Sequence, residues 1–153
     1  MAAATFAAAA TCLVSSAPVQ AQDKVLRAVM HADVRTLDPF WTTQTIVGIH
    51  GQMVYDTLFS SDSDLKPQPQ MVDTWSIDDS RMVYTFTLRD GLLFHDGTPV
   101  TTKDVIASMK RWGQRDNAGK RLMSHTKSIN ATDDKTFVWT LSKPYGLLID
   151  TLA

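Results

Sequence analysis

The chain has 153 residues, with 15 Lys and Arg set against 16 acidic residues and a net charge of -1. That length holds one ordinary domain, and an apolar content of 44% excludes a disordered chain. The balanced charge removes any electrostatic case for a nucleic-acid or anionic-lipid partner.

Residues 1–21 read as a targeting segment. Ala2 to Val14 is almost wholly apolar or small, Pro18 breaks any helix, and Val19-Gln20-Ala21 fits the small-x-small pattern that places cleavage after Ala21. No charge precedes Asp23, so the usual basic region is missing and the true start is expected upstream of Met1. The apolar run is too short for a membrane span, which needs about 20 residues. Cys12 is the only cysteine, and Ala9-Ala10-Thr11 before it lacks a lipid-attachment pattern. A chain cleaved after Ala21 holds neither a disulfide nor a thiolate metal site, so packing must stabilise it.

From Lys24 to Val34 both alternating side-chain sets are apolar enough for an inner strand of an α/β sheet. The strand ends at Asp33 to Pro39, where Pro39 holds Asp38 extended. In open α/β sheets ligands bind beyond the carboxyl ends of strands, which puts His31 to Arg35 where a ligand is met. The plainer alternative is that Asp33 caps a turn and His31 is a satisfied, half-buried side chain. Residues 42–59 are helical in pattern, with Ile46, Ile49, Met53 and Val54 on one face and Thr42, Thr43 or Thr45 as the cap. Ser60 to Lys66 is a polar turn, Pro67 and Pro69 forbid a helix, and Gln70 to Thr74 reads as a single turn.

Two stretches then share one plan. Asp78-Asp79 precedes the alternating run Tyr84 to Leu88, and Asp133-Asp134 precedes Phe137 to Leu141, so each predicts a tight hairpin whose turn is served by Asp. Asp90-Gly91 and Asp96-Gly97-Thr98-Pro99 turn the chain before a helix opens at Thr101. The Thr101 hydroxyl and the Asp104 carboxylate form an Asp version of the capping box. Val105, Met109 and Trp112 line the buried face, and Gly113 is expected to stop the helix. Gly113 to His125 reads as a polar linker or further helical turn, and Pro144 starts a final helix through Leu152.

The string Tyr-Thr-Phe-x-Leu-Arg-x-Gly-x-x-Phe-His-Asp-Gly-x-Pro-Val-Thr-x-x-Asp-Val, from Tyr84 to Val105, follows Trp75-Ser76-x-Asp78. It resembles the signature of the family 5 extracellular solute-binding proteins, the peptide-, dipeptide-, oligopeptide- and nickel-binding subunits of ABC importers. A pattern that fixes two turns and a helix cap in order is far more specific than a short motif. The resemblance implies a periplasmic-binding-protein type II-like, two-lobed α/β fold, of which only the N-terminal part of the first lobe falls within this sequence. It divides the chain into a signal peptide at 1–21, the first strand and cleft loop at 22–44, and an incomplete family-specific α+β subdomain at 45–153. It also implies that the loop before Leu37-Asp38-Pro39 lines the binding cleft, giving that role to Asp33 and Val34 with His31 and Arg35 as neighbours. The helix ending in Tyr55-Asp56-x-Leu58-Phe59 would pack near the cleft floor.

The function implied is periplasmic and not enzymatic. Ligand is clasped by hinge closure, and the closed form docks on an inner-membrane permease driven by its ATPase. No cofactor is implied. The ligand is a peptide or another small solute such as a nickel chelate, haem, sugar or opine. Because the second lobe lies outside the sequence, these residues by themselves are expected to bind no peptide with useful affinity.

Other chemistry finds little support. His31, His50, His95 and His125 show no metal-ligand spacing, and neither a nucleophile elbow nor a phosphate-binding loop occurs. His95-Asp96 sits in a turn context, and nothing fixes a spacing between Asp33 and Asp38 as paired carboxylates. Trp41, Trp75, Trp112 and Trp139 are expected to pack in the core. Two rivals remain: a small secreted hydrolase using Asp33, Asp38 or His95, and an exported stand-alone interaction module.

Overall fold

The computed structural model describes residue 27 and residues 29–153. The expected signal peptide, its cleavage site and Cys12 lie outside the described residues, as do Val25, Leu26 and Ala28 of the strand expected from Val25 to Ala32. Arg27 and Val29 to Ala32 are described and are not in a strand.

Alternation of apolar and polar residues builds the centre of the molecule. Strand β4 (Val83–Leu88) buries Tyr84, Phe86 and Leu88, and β6 (Thr136–Leu141) buries Phe137, Trp139 and Leu141. The two strands pair antiparallel with Tyr84 opposite Trp139 and Phe86 opposite Phe137. A one-residue slip would carry all six to the other face, so their burial fixes the register. The Phe86 and Phe137 rings stack with centroids 5.1 Å apart. The outer strands β3 (Val72–Ile77) and β5 (Thr126–Ala131) complete an antiparallel sheet in the order β3-β4-β6-β5.

Both expected hairpins form, and Asp serves both turns. Asp78 Oδ1 accepts from the amides of Met82 and Val83, each at 2.9 Å. Asp133 Oδ1 accepts from Lys135 at 2.8 Å and Thr136 at 2.7 Å. A side chain this short reaches only amides of its own turn, which is how Asp replaces backbone pairing there. A smaller hairpin joins β1 (Phe59–Ser61) to β2 (Pro67–Pro69), again with an Asp, Asp62, accepting within the turn.

The helices are α1 (Thr45–Val54), α2 (Thr102–Arg115), α3 (Asn117–His125) and α4 (Leu148–Thr151). Helix α2 opens on the expected capping box, with Asp104 Oδ2 accepting from both the amide and the hydroxyl of Thr101 at 2.8 Å. Its first residue, Thr102, is fully buried and donates its hydroxyl to the main-chain carbonyl of Asp133 at 2.6 Å. That contact ties the start of α2 to the β5–β6 turn. Val105 of α2 and Leu122 of α3 then join the aromatic face of the sheet in one core.

Four expectations are corrected. Gly113 does not stop α2, because it is buried against Met123: a Cβ there would lie 2.3 Å from Met123 Cγ. The stop comes at Asp116, whose carboxylate caps α3 through the amides of Ala118 and Gly119. The single turn expected at Gln70 to Thr74 gives way at Val72 to β3, and that strand exposes every residue after Val72, so no alternation announces its start. Helix α1 is shorter than residues 42–59, ends where Tyr55 turns extended, and has Gln44 as N-cap with no side-chain capping bond. The last helix begins at Leu148, after Pro144.

Of the tryptophans, Trp139 is fully buried and donates its indole N–H to Thr126 Oγ1 at 2.8 Å. Trp41 and Trp75 are exposed at 63% and 41%, so neither is a core residue in this structure.

Candidate functional site

The segment before α1 borders two concavities. A shallow hollow of about 410 Å³ is lined by His31, Ala32, Asp33 and Arg35 on one side and by Gln44, Thr45 and Ile46 on the other. The structure therefore brings His31, Asp33 and Arg35 together against the first residues of α1. Val34, between them, is half-buried and does not line the hollow. The first amides of a helix carry partial positive charge, and no side chain caps those of α1. With Arg35 they favour acceptor groups of a ligand, while the Asp33 carboxylate offers an acceptor for ligand N–H groups.

The second concavity is a larger, mainly apolar groove of about 740 Å³. It runs between the Leu37–Phe40 loop, α1, α2 and the Thr151–Ala153 end, with Phe94, Val105, Met109 and Trp112 among its walls. Sequence reasoning missed this groove, because its walls come from segments far apart in the chain.

Asp38 stands at the groove margin and is engaged. Arg111 Nη1 donates to Asp38 Oδ1 at 3.2 Å and Nη2 donates to Oδ2, and the Phe40 amide donates to Oδ1 at 3.0 Å. The Arg111 hydrogen bonds hold the Asp38 carboxyl below its ordinary range and raise Arg111. Such a carboxylate stays ionised and paired, so it is poorly suited to act as an acid or a nucleophile.

His95 lines the larger groove, but its neighbour Asp96 is committed to the turn. Asp96 Oδ1 accepts from the Thr98 hydroxyl at 2.7 Å and its amide at 2.9 Å, and these bonds hold it below the usual carboxylate range. The acid/base reading of His95-Asp96 thus yields to the turn. Among the described residues there is no group of three or more His, Cys, Asp or Glu placed to hold a metal ion. No helix among them is long and apolar enough to cross a membrane.

This architecture is that of part of a type II periplasmic binding protein. The chain superposes with a TM-score of 0.67 on a periplasmic binding protein from Agrobacterium tumefaciens solved with mannopinic acid, at 26% identity over 76% of this chain and 25% of that one. The profile of the bacterial extracellular solute-binding proteins, family 5 Middle, matches residues 66–153, and the chain belongs to that family. It is a family of binding proteins, not of enzymes.

Among relatives, a probable peptide ABC transporter periplasmic-binding protein of Sinorhizobium fredii is 47% identical over 133 residues, 87% of this chain and 25% of the relative. A glutathione-binding protein of Escherichia coli is 30% identical over 146 residues, 94% of this chain and 28% of the relative. The chain thus spans about a quarter of the length of the relatives it matches.

Proposed function

We propose that this chain belongs to the substrate-binding component of an ABC importer and takes part in binding peptides or similar small solutes in the periplasm. The observation that carries the reading is the 47% identity, over 87% of the chain, to a probable peptide ABC transporter periplasmic-binding protein. On this reading residues 1–21 direct export and are removed after Ala21. Residues 22–44 supply the first strand and cleft loop, and residues 45–153 form the family-specific subdomain.

His31, Asp33, Val34 and Arg35 line the ligand cleft. The hollow formed by three of them with α1 supports this, since it offers both an acceptor and donors to a zwitterionic ligand. Ligand is enclosed as a second lobe closes over it, and its backbone polar groups then pair with protein groups that would otherwise stay buried and unsatisfied. Pairing of that kind reads the ligand's backbone more than its side chains, so a range of peptides is accepted. The closed form docks on an inner-membrane permease and its ATPase.

Uptake tests the proposal. Source cells with the gene disrupted should lose accumulation of labelled short peptides or of labelled glutathione, and regain it on complementation. Unchanged uptake of both would overturn the reading.

A further inference from the structure

Two arginines one helical turn apart on α2 reach out of their own element. Arg111 meets Asp38 as a fork, each guanidinium nitrogen facing its own carboxylate oxygen. Its central carbon also stands 5.5 Å from the centroid of the Phe40 ring. The Arg115 guanidinium lies 4.4 Å from the centroid of the Trp41 ring. Asp38, Phe40 and Trp41 are thus all met by the same face of one helix.

Pro39, the residue they enclose, is held from the other side. A Cβ on Gly51 of α1 would come 3.0 Å from Pro39 Cβ, so the proline ring packs against that glycine. The Tyr55 hydroxyl donates to the Leu37 carbonyl at 3.5 Å. Within the loop, the Phe40 amide donates to Asp38 Oδ1 and the Trp41 amide to the Asp38 carbonyl at 3.2 Å. The loop is therefore gripped by α1, by α2 and by itself.

We propose that Arg111 and Arg115 are positioning residues that clamp the Leu37–Trp41 loop onto α2 and so set where His31 to Arg35 stand against the start of α1. The proposal rests on the reading that His31 to Arg35 line the ligand cleft. A short irregular loop has many conformations to lose on binding, and a clamp removes that loss before ligand arrives. If only a fraction of molecules hold the segment in place, apparent affinity falls by that fraction. The exposed Trp41 then has a role that core packing does not give it, as the ring on which Arg115 rests. Lysine cannot replace Arg111, since an ammonium has neither the planar fork for Asp38 nor the flat face for Phe40.

Hydrogen exchange of the full chain, read by mass spectrometry over residues 31–41 and over β4 and β6, tests this. The double variant Arg111→Leu/Arg115→Leu should speed exchange across 37–41 about tenfold, the loss expected for one ion pair and two cation–π contacts. Exchange across 31–35 should rise with it, while β4 and β6 stay protected. Arg111→Lys, which leaves Arg115 on Trp41, should raise exchange in the same direction by a smaller factor, and the neighbouring Lys110→Ala should behave like the wild type. Asp38→Asn approaches from the loop side and leaves the helix untouched, so it separates an unclamped loop from a damaged α2. Unchanged exchange at 37–41 in both Arg111→Leu/Arg115→Leu and Asp38→Asn would overturn the clamp. A rise at 37–41 with none at 31–35 would overturn the positioning role. The cleft reading is scored separately: Asp33→Ala should weaken binding of trialanine or glutathione, and no change there would sink that reading while the exchange result stands.

Discussion

Thr102→Val removes one hydroxyl from the junction between α2 and the sheet and changes almost nothing else. Thr102 is fully buried, its hydroxyl donates to the Asp133 carbonyl at 2.6 Å, and its own amide donates to the Asp134 carbonyl at 3.0 Å. Valine keeps the shape and the amide bond and loses only the hydroxyl contact. A hydrogen bond of this kind contributes about 1 kcal/mol net. The abandoned carbonyl lies in an exposed turn where water can replace the hydroxyl, so no full burial penalty is added. Thr102→Ser keeps the hydroxyl and drops a methyl, which costs about 0.8 kcal/mol, and Thr102→Ala loses both, for about 2 kcal/mol. Urea unfolding followed by tryptophan fluorescence reads these values, because Trp139 is in the core. With a urea slope of about 2 kcal/mol/M, the midpoint of Thr102→Val should fall by about 0.5 M and that of Thr102→Ala by about 1 M. A Thr102→Val midpoint at or above the wild type would refute the claim that this hydroxyl fastens α2 to the sheet.

Two glycines should respond in opposite directions to alanine. Gly48 lies inside α1 with open space where a Cβ would stand, so Gly48→Ala should stabilise by about 0.5–1 kcal/mol through helix propensity and a less disordered unfolded chain. In Gly119→Ala the new Cβ would meet the Trp112 ring at 2.8 Å and the Trp112 carbonyl at 2.9 Å. That overpacking, about 1–3 kcal/mol, should exceed the propensity gain of about 1 kcal/mol, and thermal melts of both variants decide it. Asp104 is held below its ordinary value of 3.8, chiefly by the Thr101 amide. A lowered folded pKa means its contribution is complete above the ordinary value and disappears as pH falls through the lowered one. The stability gap between wild type and Asp104→Asn should therefore be constant at neutral pH and narrow steadily as pH falls below 3.8, and a gap that does not narrow in acid would contradict the capping-box assignment.

What was legible in the sequence was local. Tyr84, Phe86 and Leu88 announce β4 because one strand face carries them all, and Thr101 with Asp104 announce α2 because a cap is written within four residues. The Asp-Asp turns were legible for the same reason. Gly113 misled because glycine has two uses, ending a helix or admitting a neighbour, and only the position of Met123 distinguishes them. The Asp116-Asn117-Ala118-Gly119 cap is in plain view, but with the preceding helix expected to end at Gly113 the stretch to His125 stays open between a polar linker and a further helical turn, and the second is what forms. Strand β3 has no alternation to read, since it lies at the sheet edge with most residues exposed.

The site was less legible than the fold. His31 to Arg35 carry no spacing signal of their own, and their role rests on the end of an expected strand and on the resemblance. Arg111 and Arg115 were invisible as partners of Asp38 and Trp41, because residues some seventy positions apart meet only after α2 has docked. The one trace was their spacing on the polar face of a helix whose other face is Val105, Met109 and Trp112.

Calorimetric titration of the protein from its source cells, with short peptides and glutathione, tests the central claim most directly. The account predicts saturable binding at one ligand per protein, in the micromolar range or tighter, with no product formed. Absence of heat for every peptide and for glutathione, or turnover of any of them, would contradict it.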